Sequence, residues 1–392
     1  MKYATTCFFF LLTLFCAAQS YRKIHAKAIL IDTHNDIPTT AIEKGVSFDQ
    51  PLKGITHSDL QRMKEGGIDV QLFSIWCDGN QRKPYAWAKR EIDTVMAWLK
   101  RNQQTMMTSF DTRTMRKAVK QKKLGVLFGI EGGHMIEDDI QKLEALYNLG
   151  ARYLTLTWNN STSWATSAFD ETTKKDSLKH KGLTAFGQQV VQKMNALGML
   201  VDLSHVGEQT FWDVMAVTTK PVLVSHSCVY SLCPHLRNLK DDQIKAIAKN
   251  GGVIHLNFYS GFLDAAFDKR SNDFLALHRN EYDSMLRLNP EPYFAQVYLF
   301  NKYPQEVTDM RPPMSLLLDH LDYIVTLVGV DHVGLGSDFD GVNSLPRQLD
   351  DVTTYPLITK ALLEKGYTKK DITKILGGNF LRVLRANEVK VK

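Results

Sequence analysis

The stretch A-I-L-I-D-T-H-N-D, residues 28–36, passes directly from an apolar run into potential metal ligands. Its first four residues are apolar at consecutive positions, which is typical of a strand buried on both faces, as in a parallel sheet. His34 and Asp36 follow two residues apart, so in extended backbone their side chains would point to the same side. Because parallel barrels carry their chemistry at the carboxyl ends of strands, this stretch indicates both a fold and a site.

Strand-like runs of this kind recur along the chain, with helical segments between them. Eight short apolar segments are predicted as strands, at residues 28–31, 70–76, 125–130, 153–157, 200–204, 222–225, 253–258 and 332–336. Segments of helical length lie between them, among them 56–65, which begins with a Thr-x-x-Asp pattern, and 138–149, 183–197 and 241–249. Strand and helix alternating eight times predict an α/β fold, a (β/α)8 TIM-type barrel. A doubly wound open sheet is the alternative, but no G-x-G-x-x-G or Walker sequence supports it.

One connection between predicted strands is much longer than the others. More than seventy residues, 259–331, separate the seventh predicted strand from the eighth, and they include the aromatic-rich run P-E-P-Y-F-A-Q-V-Y-L-F. We therefore expect a single barrel domain over residues 21–392, with an inserted helical segment at about 261–314. Such insertions form lids or subunit contacts, or they only decorate the barrel, and the sequence leaves these alternatives open.

Residues 1–20 have the pattern of a secretory signal peptide. Lys2 supplies a basic start, residues 8–15 form an apolar core, and small residues follow, Ala17 and Ala18 among them. The apolar core is too short to span a bilayer. The prediction is export through a signal peptide to a periplasmic or extracellular compartment, as a soluble protein without a transmembrane anchor.

The charge balance of the chain does not indicate a nucleic-acid partner. The formal net charge is +6, and the densest basic run lies at residues 115–123. The cations of this run are not interleaved with aromatic side chains, so stacking on bases has no support. The run is instead predicted to form the solvated face of a helix.

The cysteine count excludes a disulfide framework. Beyond residue 20 the chain has three cysteines, Cys77, Cys228 and Cys233. An odd number excludes complete intramolecular pairing, and three are too few for a framework. A local bridge between Cys228 and Cys233 and buried free thiols are both open. There is no C-x-x-C pair, so a structural zinc ribbon is excluded.

Three further residues end apolar runs in the same way as the first stretch. They are Glu131 in L-F-G-I-E-G-G, His205 in V-D-L-S-H-V and His226 in V-L-V-S-H-S. A charged group at the end of a buried strand needs a partner or a metal. Together with His34 and Asp36 they supply three imidazoles and two carboxylates, enough for two metal ions bridged by one carboxylate. This set of ligands favours zinc among the available ions.

Asp338, in V-G-L-G-S-D-F-D-G, ends another apolar run. Two cations that share a water lower its pKa and polarise a carbonyl oxygen, which indicates a hydrolase. Asp338 is then the candidate general base, taking a proton from the water and passing it to the leaving amine. Asp340, two residues further on, offers the same chemistry, and Asp338 is preferred as the candidate. Asp32, inside the apolar run, is expected to be a supporting carboxylate.

The chain resembles the membrane dipeptidase (renal dipeptidase) family of zinc metallopeptidases. The motifs that carry the resemblance follow in order through most of the chain beyond residue 20: H-N-D-I-P, G-I-E-G-G-H, R-Y-L-T-L-T, L-S-H, S-H-S, R-N-L-K-D-D, N-F-Y and G-S-D-F-D-G. The resemblance implies a metal-dependent hydrolase barrel with two zinc ions. His34 and Asp36 match the ligands of one zinc, and His205 and His226 match those of the other. Glu131 matches the bridge between them.

The resemblance also assigns roles outside the metal ligands. Asp338 matches the acid/base residue of the family, and Arg237 and Tyr259 match the pair that binds the free carboxylate of a dipeptide. Trp158 departs from the pattern, because the mammalian-type family members have at this point a histidine that helps to hold the substrate carbonyl. An indole N–H donates one hydrogen bond but carries no positive charge. Oxyanion stabilisation would then be weaker, or would be supplied by zinc or by Asn159 or Asn160.

The predicted function is that of a secreted zinc-dependent dipeptidase. It would hydrolyse the peptide bond of a dipeptide with a free C-terminal carboxylate, by means of a hydroxide that bridges two metal ions. A related binuclear-zinc amidohydrolase, such as an N-acyl amino acid deacylase or a lactonase, is the alternative, and a non-catalytic binding protein on the same scaffold is a third. The dipeptide is the expected partner, and a homodimer is suggested by the resemblance alone.

Overall fold

The computed structural model describes residues 21–289 and 292–389, so the predicted signal peptide at 1–20 lies outside the described residues. Eight parallel strands, β1 to β8, follow one another in chain order around a nearly closed barrel. In that order they are Ile31–Asp32, Val70–Trp76, Leu124–Glu131, Ala151–Thr155, Leu200–Asp202, Leu223–Val224, Val253–Leu256 and Val333–Leu335. The predicted (β/α)8 barrel is confirmed.

Residues just beyond the ends of β8 and β1 close the barrel. The Asp338 N–H donates to the His34 carbonyl at 3.1 Å, and the Asp36 N–H donates to the Phe339 carbonyl at 2.9 Å. These bonds join the segment that carries two predicted ligands to the one that carries the predicted base. A doubly wound open sheet has no such closure, so that alternative is wrong.

Seven of the eight predicted strands differ from the observed ones at one end or both, by one to three residues, and one strand was missed. The first strand covers Ile31–Asp32 rather than 28–31, because pairing with β2 begins only there. The fourth ends at Thr155 rather than 157, where its partner β5 also ends, at Asp202. The short strand Met106–Thr108 pairs with β3 outside the order of the barrel, and three residues are too few to show a sequence pattern.

Helices connect the strands on the outside of the barrel. Residues 21–25 are helical. The α-helices that follow are Ile37–Lys44, Leu60–Gly66, Pro84–Arg101, Thr112–Lys120, Ile140–Asn148, Ala168–Thr173, Ala185–Leu197, Glu208–Val217, Asp241–Asn250, Ser260–Leu263, Phe267–Leu277, Arg279–Leu288, Pro292–Lys302, Pro304–Met310, Ser315–Val328, Tyr355–Glu364, Lys369–Thr373 and Asn379–Asn387. Shorter turns are the 3-10 helices Gly133–Ile136, Val330–His332 and Val352–Thr354 and the π-helix Lys374–Gly378.

The predicted start of the helix at 56–65 was wrong. The helix begins at Leu60, because the Asp59 carboxylate accepts from the Arg62 N–H at 2.9 Å and so caps it. Thr56, the expected cap, instead donates its hydroxyl to the Ser58 carbonyl at 2.7 Å. The Asp of the Thr-x-x-Asp pattern is therefore the cap itself. The other three predicted helices begin and end within two residues of the observed ones.

The structure also tests two predictions from composition. In the helix Thr112–Lys120, Met115 and Ala118 are buried while the cations of the basic run face solvent, which confirms the solvated helix face. The cysteines within the described ranges are all buried and unpaired. The local bridge between Cys228 and Cys233 is therefore excluded, and the free thiols are confirmed.

The core has two layers, which fix the strand ends in space. The larger layer packs the outward faces of the strands against the helices. The smaller joins inward-facing strand residues such as Ile31, Val70 and Leu200 to Phe380 and Val383 of the C-terminal helix. With apolar side chains filling the barrel from its amino end, polar side chains at the carboxyl ends of the strands are left to form the mouth.

The long connection between β7 and β8 is helical, as expected. Five of its helices, from Ser260–Leu263 to Pro304–Met310, precede Ser315–Val328, which packs into the main core through Leu317 and Leu321. The earlier helices enclose a small apolar cluster of their own: Phe267, Phe274, Leu299, Phe300, Val307 and Met310. The limits of the inserted segment at about 261–314, and its role, stay predictions.

In the described part of the chain no helix combines the length and apolarity of a membrane span.

Candidate metal centre

Glu131 ends β3 and lies at the centre of the candidate site. Its Oε2 is 3.3 Å from Nε2 of His34. Its Oε1 is 2.9 Å from Nε2 of His205 and 3.4 Å from Nε2 of His226. One buried carboxylate thus faces one histidine with one oxygen and two histidines with the other, an arrangement that suits the predicted bridge.

Asp36 reaches the site through a backbone conformation that differs from the expected extended one. Its Oδ2 is 3.5 Å from Nε2 of His34, so the two side chains do converge. The backbone of Asp36 is not extended, however, but bends with φ −96° and ψ 18° into the helix Ile37–Lys44. The argument from strand phase was therefore wrong for this pair, and the turn into the helix brings them together.

A left-handed turn sets the position of Asp338. Both Asp338, at φ 63°, and Asp340, at φ 67°, are in the left-handed region, so strand phase does not decide between them either. Asp338 Oδ2 accepts from Nδ2 of Asn257 at 2.7 Å, and its Oδ1 is 4.0 Å from Nε2 of His34. Asp340 turns away and accepts from the His57 N–H at 2.6 Å. The structure thus brings Asp338, and not Asp340, to the candidate ligands.

The side chains present fit a metal centre. Nε2 of His34 and Oδ2 of Asp36 are buried, and neither has a hydrogen-bond partner among the described residues. Buried polar atoms are otherwise almost always bonded, so this pair needs an explanation. Donor atoms of His34, Glu131 and His226 lie within 4.8 Å of one another, as do those of His34, Asp36 and Asp338. Imidazole nitrogens with carboxylate oxygens are a set of ligands that binds divalent metal ions.

The carboxylates make the site attract positive charge. Burial by itself lowers the pKa of His34, but the Glu131 and Asp36 carboxylates outweigh it and raise that pKa to about 10. Burial likewise works to raise the pKa of Glu131, yet the charge of His34 and the contacts with the imidazoles of His205 and His226 hold that pKa well below its usual range. A cation is therefore favoured between these groups, where a metal ion would replace the proton.

The other two histidines are neutral. Burial lowers the pKa of His205 to about 4, and it lowers the pKa of His226 well below its ordinary value. Their Nε2 atoms lie 3.0 Å apart. Since histidine binds a metal as the neutral imidazole, both side chains are in the form that a ligand needs near pH 7.

Tyr153 orients His34 from behind. The Tyr153 hydroxyl donates to the Thr33 carbonyl at 3.1 Å and lies 2.9 Å from Nδ1 of His34. It therefore accepts the Nδ1 proton, so that Nε2 is the nitrogen directed at the carboxylates, where a metal ion would replace its proton. A β-carbon at Gly129 would lie 1.8 Å from the Tyr153 ring, so only glycine there leaves room for this tyrosine.

His226 and His205 are held in the same manner. Nδ1 of His226 is 2.8 Å from Oγ of Ser225, which in turn donates to the Asp202 carboxylate at 2.6 Å. Nδ1 of His205 is 3.1 Å from Oδ1 of Asn159. An amide oxygen only accepts, so the proton of His205 lies on Nδ1 and Nε2 is free to bind. Each imidazole thus turns Nε2 towards Glu131.

Sequence reasoning missed most of these supporting side chains. Tyr153 and Asn257 gave no signal, because each lies in or next to an apolar run that predicts core packing. Asp202 could have been found, since a carboxylate inside the buried run V-D-L-S-H needs partners. Asn159, proposed as a donor to the substrate carbonyl, contacts His205 instead. Asp32 is confirmed as a supporting carboxylate, because it accepts from the N–H and the hydroxyl of Ser337 at 2.9 and 2.7 Å.

Arg237 and Tyr259 lie on the same side of the site. The Arg237 guanidinium is buried and donates to the His226 carbonyl and to Oγ of Ser227, each at 3.3 Å. Its Nε has no hydrogen-bond partner in the part of the chain that the structure describes. The Phe262 ring links the two predicted residues, since it lies 5.4 Å from the guanidinium carbon and 5.0 Å from the Tyr259 ring.

Trp158 lies beside the ligand histidines but not among them. Its ring centroid is 6.4 Å from that of His205 and 5.0 Å from that of Trp76. Trp76, which ends β2, was not predicted to belong to the site. An apolar residue at the end of an apolar run has no sequence feature that separates it from the core.

The sequence family described as membrane dipeptidase (peptidase family M19) matches residues 18–392. The chain belongs to the membrane dipeptidase family. This confirms the resemblance and the predicted class, a metallodipeptidase, and it agrees with a site built of imidazoles and carboxylates at a barrel mouth.

Solved structures share the fold. The probable dipeptidase PvdM from Pseudomonas aeruginosa is 23% identical over 95% of this chain and 98% of its own, with a TM-score of 0.78. A metallopeptidase from Rhodobacter sphaeroides, liganded with a phosphinate mimic of the dipeptide L-Ala-D-Ala, is 23% identical over 92% of this chain and 100% of its own, with a TM-score of 0.73. An amidohydrolase from Pseudomonas aeruginosa is 22% identical over 94% and 98%, with a TM-score of 0.71. At these identities the likeness extends to the fold alone.

Tyr153→Phe tests the support behind His34. The change keeps the ring and removes the hydroxyl that accepts from Nδ1, so we expect metal affinity to fall about 10–100-fold, as for other outer partners of metal ligands. Competition with a chelator measures this. Tyr147→Phe, on the outer helix Ile140–Asn148, is the matched control and should bind metal as the wild-type protein does. An unchanged affinity in Tyr153→Phe would mean that this contact does not orient the ligand.

Proposed function

We propose that this member of the membrane dipeptidase family is an exported zinc enzyme that hydrolyses dipeptides with a free C-terminal carboxylate. The observation that carries the proposal is the placement of Glu131 between His34 on one side and His205 and His226 on the other. The buried arginine next to His226 supports the carboxylate requirement. Export rests on the signal pattern at residues 1–20, to the periplasm or the cell exterior, and a homodimer rests on family resemblance.

His34 and Asp36 would hold one zinc ion, His205 and His226 the other, and Glu131 would bridge them. Two bound cations supply polarisation of the scissile carbonyl and a nucleophile derived from water at neutral pH. Three imidazoles and two carboxylates from four strand ends would leave open positions for water and substrate. An open position is what separates a catalytic zinc site from a structural one.

Asp338 would act as the general base and then as the general acid. Its Oδ2 is held by Nδ2 of Asn257, which leaves Oδ1 facing the ligand side of the site. That oxygen would take the proton from the attacking water and deliver it to the nitrogen of the leaving amine. The amide of Asn257 would act by fixing the carboxylate, since an amide does not titrate.

Arg237 and Tyr259 would bind the C-terminal carboxylate of the substrate. The guanidinium is buried beside His226, so a carboxylate that reaches it is drawn from water into a site where charge pairing is strong. The Rhodobacter sphaeroides relative that binds a phosphinate mimic of L-Ala-D-Ala supports a dipeptide as the substrate class. It also makes dipeptides with a C-terminal D-residue worth including in any assay.

Metal removal tests the proposal as a whole. Purified protein should contain about two zinc ions per chain, hydrolyse at least some members of a panel of L,L and L,D dipeptides, and lose this activity when the metal is chelated. Added zinc should restore it. Dipeptide hydrolysis that persists in metal-free protein would refute the metal mechanism.

Asp338→Asn removes the proposed base while keeping the size of the side chain. We expect kcat to fall about 10²–10⁴-fold, because general acid–base catalysis typically contributes that much, and metal content to stay the same. Asp350→Asn, at an exposed position in the same loop region, serves as the control and should retain activity. Normal turnover by Asp338→Asn would assign the proton transfer to another group.

Arg237→Gln separates a dipeptidase from a lactonase on the same scaffold. Loss of a charge-assisted bond to the substrate carboxylate should lower kcat/KM for free-acid dipeptides roughly 10–100-fold. Dipeptide amides should be affected much less, and a lactone substrate should barely respond. Arg116→Ala, an exposed arginine on the basic helix, is the control. Equal effects on acids and amides would remove Arg237 from carboxylate binding.

A further inference from the structure

Two tryptophans stand together at the mouth of the barrel. Trp76 is the last residue of β2, and Trp158 lies three residues beyond the end of β4. Their ring centroids are 5.0 Å apart and their planes meet at 63°, an edge-to-face pair. Both are half-buried. The site thus has a neutral aromatic surface, and its Trp158 ring centroid is 6.4 Å from that of the candidate ligand His205.

Hydrogen bonds hold the backbone of Trp76, and the residue after Trp158 is held by the site. The Trp76 N–H donates to the fully buried Glu91 carboxylate at 2.8 Å, and the Trp76 carbonyl accepts from Nε1 of Trp87 at 3.0 Å. Trp158 directly precedes Asn159, whose side chain contacts His205. Indoles that pack edge to face on a held strand end are well suited to select among side chains, because less conformational freedom is lost when one binds.

The position of this pair around the barrel decides what it can contact. β2 and β4 flank β3, which carries Glu131, and the register pairs Trp76 with Glu131 and Glu131 with Thr155. Arg237 follows β6 and Tyr259 follows β7. In a ring of eight strands, β7 lies opposite β3. Trp76, at the end of β2, is therefore across the mouth from Arg237, which follows β6, and the tryptophan pair, centred on β3, is across from Tyr259, which follows β7.

We propose that Trp76 and Trp158 form the surface that receives the side chain of the N-terminal residue of the dipeptide, and that they favour an aromatic or large apolar side chain there. The inference rests on the proposed function. A dipeptide whose C-terminal carboxylate is bound at Arg237, and whose peptide bond lies over the ligands, extends its N-terminal residue towards this pair. Two indoles offer apolar area and aromatic contacts but no cation, so an acidic side chain gains nothing at this surface.

The test is the ratio of kcat/KM values within two short series of dipeptides, measured on the full-length zinc-loaded protein. In the series Phe-Gly, Ala-Gly and Asp-Gly, the wild-type protein should prefer Phe over Ala by about tenfold or more, the range for an apolar pocket. Trp76→Ala and Trp158→Ala should each bring this ratio several-fold closer to one. Trp76→Phe should keep most of the preference. In the series Gly-Phe and Gly-Ala, the ratio should not respond to any of these changes.

Trp212→Ala, on the outer helix Glu208–Val217, is the matched control and should leave both ratios as they are. Trp158→His provides a second variant that lacks the indole, should an alanine variant fail to fold. A Phe-to-Ala ratio that is close to one in the wild-type protein, or unchanged in both the Trp76 and Trp158 variants, would overturn this inference while leaving dipeptide hydrolysis intact. Absence of hydrolysis of every dipeptide by the zinc-loaded wild-type protein would instead overturn the proposed function, and the inference with it.

Discussion

A buried carboxylate that must be neutralised is the constraint on which the site depends. Glu131 is 4% exposed, and it faces nitrogen atoms with both of its oxygens. A carboxylate in such a place is stable only if positive charge or strong hydrogen bonds surround it. In the protein without ions the His34 imidazolium meets this need, which is why the pKa of His34 rises to about 10 against the effect of burial, its largest single influence. Metal cations in the same place would meet it more completely.

In the barrel, the three histidines that face Glu131 each follow a different strand. Packing of the barrel interior against the C-terminal helix holds the strands in register, and the carboxyl ends then meet at one mouth. Fine positioning comes from the layer behind the ligands, where Tyr153, Asp202 with Ser225, and Asn159 each hold the far nitrogen of one histidine. Each of these bonds fixes the tautomer as well as the direction of the ring. The ligands and their supports therefore form one unit.

The sequence predicted which residues lie at strand ends. It did not predict side-chain directions that are set by the loops and turns beyond the strands. The apolar runs located the barrel and its ligands because burial on both faces leaves a continuous signal. Strand phase did not explain Asp36 or the choice of Asp338 over Asp340, since a helix start and a left-handed turn set those directions. The sequence did not predict Trp76 as a site residue, for a different reason. A tryptophan that ends a buried run looks like core in any pattern, and only its place beside Trp158 shows that it faces the mouth.

The central claim is that one carboxylate bridges two zinc ions at the barrel mouth. Crystals of the purified protein, measured on both sides of the zinc absorption edge, would test it most directly. The account predicts two anomalous peaks about 3.5–4 Å apart, one between His34 and Asp36, the other between His205 and His226, with Glu131 touching both. A single peak, or two peaks that do not share Glu131, would contradict it.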